Sequence, residues 1–337
     1  MREVSYEESL SLPDPMFVDV RAPVEYRADH IPGAINMPVF DDAERALVGT
    51  LYRTHGEEAA ILKGTEIAGS KLAGMVAEIS RMKGRDIVIG CFRGGMRSST
   101  LVSLLDSLGI RVYKLTGGYR EYRRYIRRRI EALDIAPALY VLHGLAGAGK
   151  TRILRTIANS LDLEAMAGHR SSLFGALGLS PNTQKMFESL LVERVDAIRD
   201  LPYVVVEGES RKIGDIHVPP ALLGRMARAP AILVRTSIER RVRNLLEEYP
   251  HDADPARVRA IVRSLETRTG PRVSRELERL FERGELEEFA RLLLEKYYDP
   301  LYSYSLNRMT FVSEIENEDT DDAVRQLLDV VMPREIF

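Results

Sequence analysis

The chain has 337 residues, 45% of them hydrophobic and 29% charged, with a formal net charge of −2. That length suits two domains, and no stretch approaches the roughly 18 apolar residues of a membrane-spanning helix. A near-neutral balance excludes a uniformly basic nucleic-acid coat but leaves room for a local basic patch. The single cysteine excludes an internal disulfide and a zinc site built on several thiolates. The first 15 residues, MREVSYEESLSLPDP, contain no apolar signal core, so a cytoplasmic location is expected.

In chain order, MFVDV (16–20) reads as a strand and INMPV (35–39) as a short extended piece. AGSKLAGMVAEISRM (68–82) has helical periodicity, DIVIG (86–90) is a buried strand, and VYKL (112–115) is another, closed by TGG. Alternation of strand and helix predicts an α/β domain with a mainly parallel sheet.

Cys91 stands at the C-terminal end of the DIVIG strand, in CFRGGMRSS, ahead of a helix expected over Ser98–Leu108. Cysteine is a good small core residue, and packing alone would account for one. The surroundings argue for chemistry. Gly94 and Gly95 allow backbone N–H groups to form an anion nest, the following helix adds positive potential, and Arg93 and Arg97 add full charges. Each favours a thiolate, so Cys91, Arg93, Gly94, Gly95 and Arg97 are expected to form a nucleophilic site with a cradle for an oxyanion.

GYREYRRYIRRRIEAL (118–133) predicts a helix with Arg120, Arg123, Arg124 and Arg127 along one side and Tyr119, Tyr122 and Tyr125 interleaved. Two readings stand. It is a solvated connector whose tyrosines pack on a domain, or a basic strip for RNA phosphates with rings available for stacking. Pro137 marks the expected boundary, giving an N-terminal domain over 1–130 with this connector and a second domain over 131–337.

The second half opens with a strand, LYVLH, followed by Gly144-Leu145-Ala146-Gly147-Ala148-Gly149-Lys150-Thr151 and a helix expected over Thr151–Leu161. This is G-x-x-x-x-G-K-[ST] in its required strand–loop–helix setting. Gly144, Gly147, Ala148 and Gly149 let amides wrap a diphosphate, Lys150 reaches the terminal phosphate, and the Thr151 hydroxyl suits Mg²⁺. The strand YVVVEGES (203–210) ends in Glu207 and Glu209, which offer a second support for that metal, with a surface ion pair as the plainer reading. The loop reads a diphosphate and a metal rather than a base. AILVRT (231–236) is a further strand, the chain from about 238 is mostly helical and charged, and MTFVSEI (309–315) precedes a final helix.

FVDVRAPVEYRADHIPGAINMPV (17–39) resembles the N-terminal signature of rhodanese-like domains, through Asp19-Val20-Arg21, Glu25-Tyr26, His30-Ile31-Pro32-Gly33-Ala34 and Asn36-Met37-Pro38. Cys91 falls where that family carries its persulfide cysteine, and LTGGYREY is similar to its closing segment. The spacing Cys-x5-Arg is one residue longer than the commonest sulfurtransferase loop and resembles the phosphatase loops of the same fold, which have room for a tetrahedral phosphorus centre.

The fusion of a rhodanese-like α/β domain to a P-loop NTPase-like α/β domain with a helix-rich C-terminal part resembles the tRNA 2-selenouridine synthases. VGTLYRTHG (48–56), LEAMAGHRSSLFG (163–175), VEGESRKIG (206–214) and YYDPLYSY (297–304) carry the likeness across the chain. That family replaces the sulfur of wobble 2-thiouridine by selenium. The resemblance implies S-geranylation with geranyl diphosphate as substrate, then displacement of the geranylthio group using selenophosphate, with no tightly bound cofactor and Mg²⁺ as an expected companion of the diphosphate. The glycine-rich loop would hold the prenyl diphosphate and the Cys91 loop selenophosphate, or selenium carried on the thiol. Arg120, Arg123, Arg124 and Arg127, with His169 and Arg170, would meet the tRNA anticodon region; a helix-capping turn is the plainer account of 168–172. Gly208 stands where an acidic residue is expected in the family, which shifts metal binding to Glu207 and Glu209. A Cys-dependent phosphatase or sulfurtransferase fused to a small-molecule kinase, and a non-catalytic nucleotide-gated binding module, remain as alternatives.

Overall fold

The structure, a computed structural model, describes residues 1–249 and 254–332. It divides into two compact units, Met1–Ala132 with Glu188–Val192, and Leu133–Phe187 with Glu193–Phe337.

The first unit contains β1 (Arg2–Val4), α1 (Tyr6–Ser9), β2 (Pro15–Asp19), α2 (Pro23–Ala28) and β3 (Ile35–Asn36). There follow α3 (Asp42–Arg81), β4 (Asp86–Gly90), α4 (Met96–Ser107), β5 (Val112–Leu115) and α5 (Gly118–Glu131). The sheet order is β1-β5-β4-β2-β3, with every pairing parallel. β4 is central and buried along its length, which is why DIVIG is a continuous apolar run. One face of the sheet packs around Val18, Ile79, Ile89, Leu101 and Leu105, the other around Val88, Leu115, Tyr122 and Ile126.

The expected helix over 68–82 is only the end of α3. Asp41 caps that helix in a capping box with Glu44, and the chain turns at Gly56, where φ is 88° and ψ −174°, a conformation that suits glycine. The mixed small and polar composition of 42–67 hid its first part, since few of its residues are buried.

The second unit contains β6 (Ala138–His143), α6 (Lys150–Thr156), β7 (Ser160–Leu161), α7 (Leu163–Ala167) and β8 (Tyr203–Glu207), and the two ends of α8 (Gln184–Ala197), whose stretch Glu188–Val192 belongs to the first unit. A hairpin of β9 (Lys212–Ile213) and β10 (Ile216–His217) leads to α9 (Pro220–Met226), β11 (Ala231–Arg235) and α10 (Ile238–Glu248). The helical part is α11 (Pro255–Ser264), α12 (Glu266–Thr269), α13 (Pro271–Glu282), α14 (Leu286–Leu293), a π-helical turn (Leu294–Tyr298) and α15 (Asp299–Leu306). β12 (Ser313–Glu316) and α16 (Thr320–Val331) close the unit. Its sheet order is β12-β11-β6-β8-β7, again all parallel, with β6 central. The first helix after the glycine-rich loop is shorter than its periodicity predicts, because Ser160 and Leu161 leave it to form the edge strand β7. Among the described residues no helix is long and apolar enough to cross a membrane.

Candidate functional site

In each unit a glycine-rich loop leaves the C-terminal end of the central parallel strand and enters a helix. This is where open α/β sheets place ligands.

In the first unit, Cys91 follows β4 and the loop ends at Gly95, the N-cap of α4. The thiol is buried, with Sγ 3.2 Å from Ser98 Oγ and 3.8 Å from the Gly95 carbonyl oxygen. Gly94 adopts a left-handed φ of 65°. The loop is braced from behind by the start of α5, where Tyr119 N–H donates to the Cys91 carbonyl and Arg120 N–H to the Phe92 carbonyl, both at 2.9 Å. A Cβ on Gly118 would lie 2.1 Å from the Cys91 oxygen, so the TGGYREY segment needs glycine there.

The two loop arginines have different fates. Arg93 is exposed, its guanidinium 5.8 Å from the Phe92 ring centre. Arg97 does not stand free as the sequence suggests: it pairs with Glu25 at 3.2 Å, and Glu25 also faces Arg45 at 3.7 Å. Any oxyanion in this loop competes with Glu25 for Arg97.

Sequence reasoning assigned no chemistry to Asp19, Arg21 and Asp29, which form a buried polar lattice around Tyr119. Arg21 pairs with Asp19, donates to the Asp29 carbonyl at 2.6 Å, and stacks 3.8 Å above the Tyr119 ring. The Tyr119 hydroxyl donates to the Asp29 carboxylate, and Arg123 Nε approaches the same carboxylate at 3.6 Å. Burial pushes the Asp29 carboxyl above its usual range, against the opposing pull of Tyr119, Arg123 and Arg21.

This lattice corrects the expected basic strip. Arg123 is turned inward, only 8% exposed, and also pairs with Glu188 and donates to Ser189 at 3.0 Å. Tyr119, Tyr122 and Tyr125 are core residues with no face open for stacking on bases. Helical spacing put Arg123 beside its neighbours, but burial separates it, since α5 packs its apolar face on the sheet and takes Arg123 with it. Arg120, Arg124 and Arg127 remain exposed, with Arg124 held at 2.7 Å by Glu121.

In the second unit, side chains tie down the loop's carbonyls. Lys150 Nζ donates to the Gly144 oxygen at 3.0 Å, Arg241 to Ala146 at 2.8 Å, and Asn244 to Gly147 at 2.8 Å. Thr236 and Asn317 both donate to Ala148, at 3.0 and 2.6 Å. With its carbonyls engaged, the loop is left to offer its N–H groups to an anion. Gly147 and Gly149 have left-handed φ of 74° and 81°, and a Cβ on either would collide, with Leu245 and Asn317 respectively. The bracing residues Thr236, Arg241, Asn244 and Asn317 were not anticipated; the polar pair at i, i+3 in RRVRN was the only local signal.

Beside the loop, Glu164, Glu207 and Glu209 each offer a carboxylate oxygen within 4.8 Å of the others. The Thr151 hydroxyl lies 3.3 Å from both Glu164 and Glu207, and Glu207 accepts the Glu164 N–H at 3.0 Å. Burial raises all three acids: Glu164 to about 8, helped by the charge of Glu209, and Glu207 well above its usual range, helped by Glu164 and Glu209. Thr151, Glu207 and Glu209 thus come together as expected, and Glu164 is an addition. Three carboxyl groups around a hydroxyl, that of Glu207 buried and those of Glu164 and Glu209 half-buried, form an oxygen donor set that suits a hard divalent cation. Gly208 has a physical reason as well, since a Cβ there would sit 2.4 Å from the His143 ring. That ring is held neutral, its pKa pushed down to about 4 by burial and by Lys150.

His169 and Arg170 are both half-buried and differently placed. The His169 ring packs against Gly175 and Gly214, and burial lowers its pKa. Arg170 donates to the Leu177 carbonyl at 2.8 Å, stacks 4.8 Å over Tyr249, and lines a cavity of ≈ 420 Å³ with Lys150, Thr151 and the three glutamates. Ser171, which hydrogen-bonds Glu209, has a φ of 34°, a strained value for a non-glycine residue at the edge of this cavity.

Comparison with known proteins gives the same two-part division. Residues 5–125 match the rhodanese-like domain, and residues 137–283 match the tRNA 2-selenouridine synthase AAA domain. A tRNA 2-selenouridine synthase of Cupriavidus necator is 33% identical over 322 residues, 85% of this chain and 87% of the relative. That of Aeromonas salmonicida is 32% identical, covering 88% of each chain. That of Pseudomonas syringae pv. syringae is 36% identical over 72% of this chain and 67% of the relative. With both domain types present in order and similarity running through most of its length, the chain belongs to the tRNA 2-selenouridine synthase family.

Proposed function

We propose that this protein converts wobble 2-thiouridine of tRNA to 2-selenouridine in two steps, one at each glycine-rich loop. In the first, the thiocarbonyl sulfur attacks C1 of geranyl diphosphate, the C–O bond breaks, the base gives up its N3 proton to water, and diphosphate leaves in the Gly144–Thr151 loop. Lys150 and the loop amides take up the charge that develops on the leaving group. Thr151, Glu164, Glu207 and Glu209 would hold Mg²⁺, which when bound supplies further neutralisation of the diphosphate. In the second step, the selenium of selenophosphate attacks C2 of the S-geranylated base, and the C2–S bond breaks to release the geranylthiolate. Water then takes the phosphoryl group as the P–Se bond breaks. The Cys91–Arg97 loop would hold the selenophosphate, with the Cys91 thiol positioning its selenium, Arg93 pairing with its oxygens and Arg97 available on release from Glu25. Exposed Arg120, Arg124 and Arg127 would meet the tRNA backbone.

The observation that carries this reading is the second unit's loop. Its carbonyls are tied back and three carboxylates stand beside it, an arrangement for a metal-bound diphosphate, in a chain whose relatives make 2-selenouridine. The test is nucleoside mass spectrometry on 2-thiouridine tRNA mixed with the protein and geranyl diphosphate, with and without selenophosphate. A geranylated nucleoside that converts to a selenated one is expected. No mass change with protein that binds tRNA would overturn the proposal in favour of a phosphatase fused to a kinase.

A further inference from the structure

The second unit contains another cavity, of ≈ 110 Å³, lined in the main by residues of α10, α11, α13 and α14. Its walls are hydrocarbon: Phe174, Leu246, Val258, Phe281, Leu286 and Phe289 are among them. Leu245, Tyr249 and Tyr298 line both this cavity and the one around Lys150, so the two share a wall. Tyr249 stands at the junction with two characters. Its hydroxyl is 2.9 Å from Ser172 Oγ and its ring lies under Arg170, both on the phosphate side. The same ring packs edge-on against Phe174 at 6.4 Å on the apolar side.

A ligand that spans the junction is therefore charged at one end and hydrocarbon at the other. A nucleoside in the inner cavity would bury ring nitrogens and hydroxyls against walls that offer them almost no partner, at a cost no hydrocarbon incurs. We infer that this inner cavity receives the tail of the diphosphate ester held by the Gly144–Thr151 loop, and that Phe281 and Phe289 set the longest tail accepted. The inference rests on the prenyl transfer proposed above.

Size sets the limit. An apolar cavity of roughly 150 Å³ holds one benzene, so ≈ 110 Å³ holds about one five-carbon isoprene unit. The first isoprene unit lies in the larger cavity with the diphosphate and the second passes Tyr249 and Tyr298. A third meets Phe281 and Phe289, whose ring centres are 5.9 Å apart, and neither of which lines the phosphate cavity. The site thus selects a ten-carbon tail over a fifteen-carbon one.

Two substitutions move the limit in opposite directions. Phe289→Ala lengthens the cavity, and Leu286→Phe shortens it. Transfer from C5, C10, C15 and C20 prenyl diphosphates to 2-thiouridine tRNA is followed by nucleoside mass spectrometry. The wild type is expected to use C10 best. Phe289→Ala should raise the C15 to C10 ratio of kcat/KM at least tenfold, and Leu286→Phe should lower C10 relative to C5 by a similar factor. Inhibition by inorganic diphosphate, which has no tail, should be unchanged in both variants and shows that the cradle is intact. Both variants retaining the wild-type chain-length profile would overturn the inference while leaving prenyl transfer standing. A wild-type protein that transfers none of the four would remove prenyl transfer itself, and the inference with it.

Discussion

The two glycine-rich loops occupy the same place in their sheets but are held by opposite means. Backbone holds the Cys91 loop: Tyr119 and Arg120 donate their N–H groups to its carbonyls, and Gly118 approaches too closely to carry a side chain. Side chains hold the Gly144–Thr151 loop: Arg241, Asn244, Thr236 and Asn317 draw its carbonyls aside. The first arrangement fixes the position of one thiol. The second draws back the carbonyls of Ala146, Gly147 and Ala148, so that they do not oppose a phosphate at the loop. The charges diverge too, since the second loop has three carboxylates beside its hydroxyl while the first has its Arg97 neutralised by Glu25.

If each loop runs one step, each step should fail alone. Lys150→Ala should reduce geranylation by about 10²–10³-fold, the usual loss when a donor to developing charge is removed. The same variant should still selenate tRNA supplied already geranylated. Cys91→Ser should do the reverse. Equal loss of both steps in both variants would end this division of labour.

Metal removal should separate the loops next. Chelation of divalent ions, or Glu207→Gln, should slow geranylation by roughly tenfold or more and leave selenation of geranylated tRNA within error. Added Mg²⁺ should restore the chelated wild type but not the variant. A selenation step that also needs the metal would show that the three carboxylates serve both loops.

The difference in bracing should appear in stability. Gly118→Ala forces a Cβ onto a backbone carbonyl at a left-handed φ of 59°, where neither partner can rotate away, and should cost about 3 kcal/mol in the first unit. Asn244→Ala removes one hydrogen bond from a side chain that nearby groups can partly replace, and should cost about 1 kcal/mol. Denaturant melts of the two variants check the order. A larger loss for Asn244→Ala would mean that the second loop is the more rigidly built.

What the sequence reveals follows the same contrast. Inner parallel strands read directly, because a strand buried on both faces must be a continuous apolar run, as DIVIG and YVVV are. Loop motifs read directly because their glycines answer to local backbone geometry. The bracing does not. Asn317 lies 169 residues from Ala148, and nothing near either announces the pairing. Arg123 misled for a related reason: helical spacing tells which residues share a side, but not which charged one is buried with a partner. Glu164 went unseen because a carboxylate in a short helix signals nothing until the end of β8 is placed beside it.

The exposed arginines test that lesson. Replacing Arg120, Arg124 and Arg127 together by Ala should weaken tRNA binding and make its salt dependence shallower by about 2–3 in log–log slope, one backbone phosphate per residue. Folding should be little changed, because all three are exposed. Arg123→Ala should instead leave Asp29 without its nearest cation and destabilise the first unit by about 3 kcal/mol, with an unchanged salt slope in whatever protein stays folded. A changed slope for Arg123→Ala would return it to the RNA-facing strip.

The smallest effect concerns the lattice behind the Cys91 loop. Burial raises the Asp29 carboxyl above its ordinary value of 3.8, and the fold therefore holds that proton to higher pH than the unfolded chain does. The sign follows from linkage: between the two values the native state binds more protons, so stability falls as pH rises through the raised value and is flat beyond it. Asp29→Asn removes the titrating group while keeping an acceptor for the Tyr119 hydroxyl. The melting temperature of the wild type relative to this variant should fall between pH 4 and the raised value, by on the order of a few degrees. The difference should then stay constant to pH 8. A difference that grows with pH would mean that Arg21 and Arg123 outweigh burial, and that the carboxylate is a stabilising anion at the base of the thiol loop.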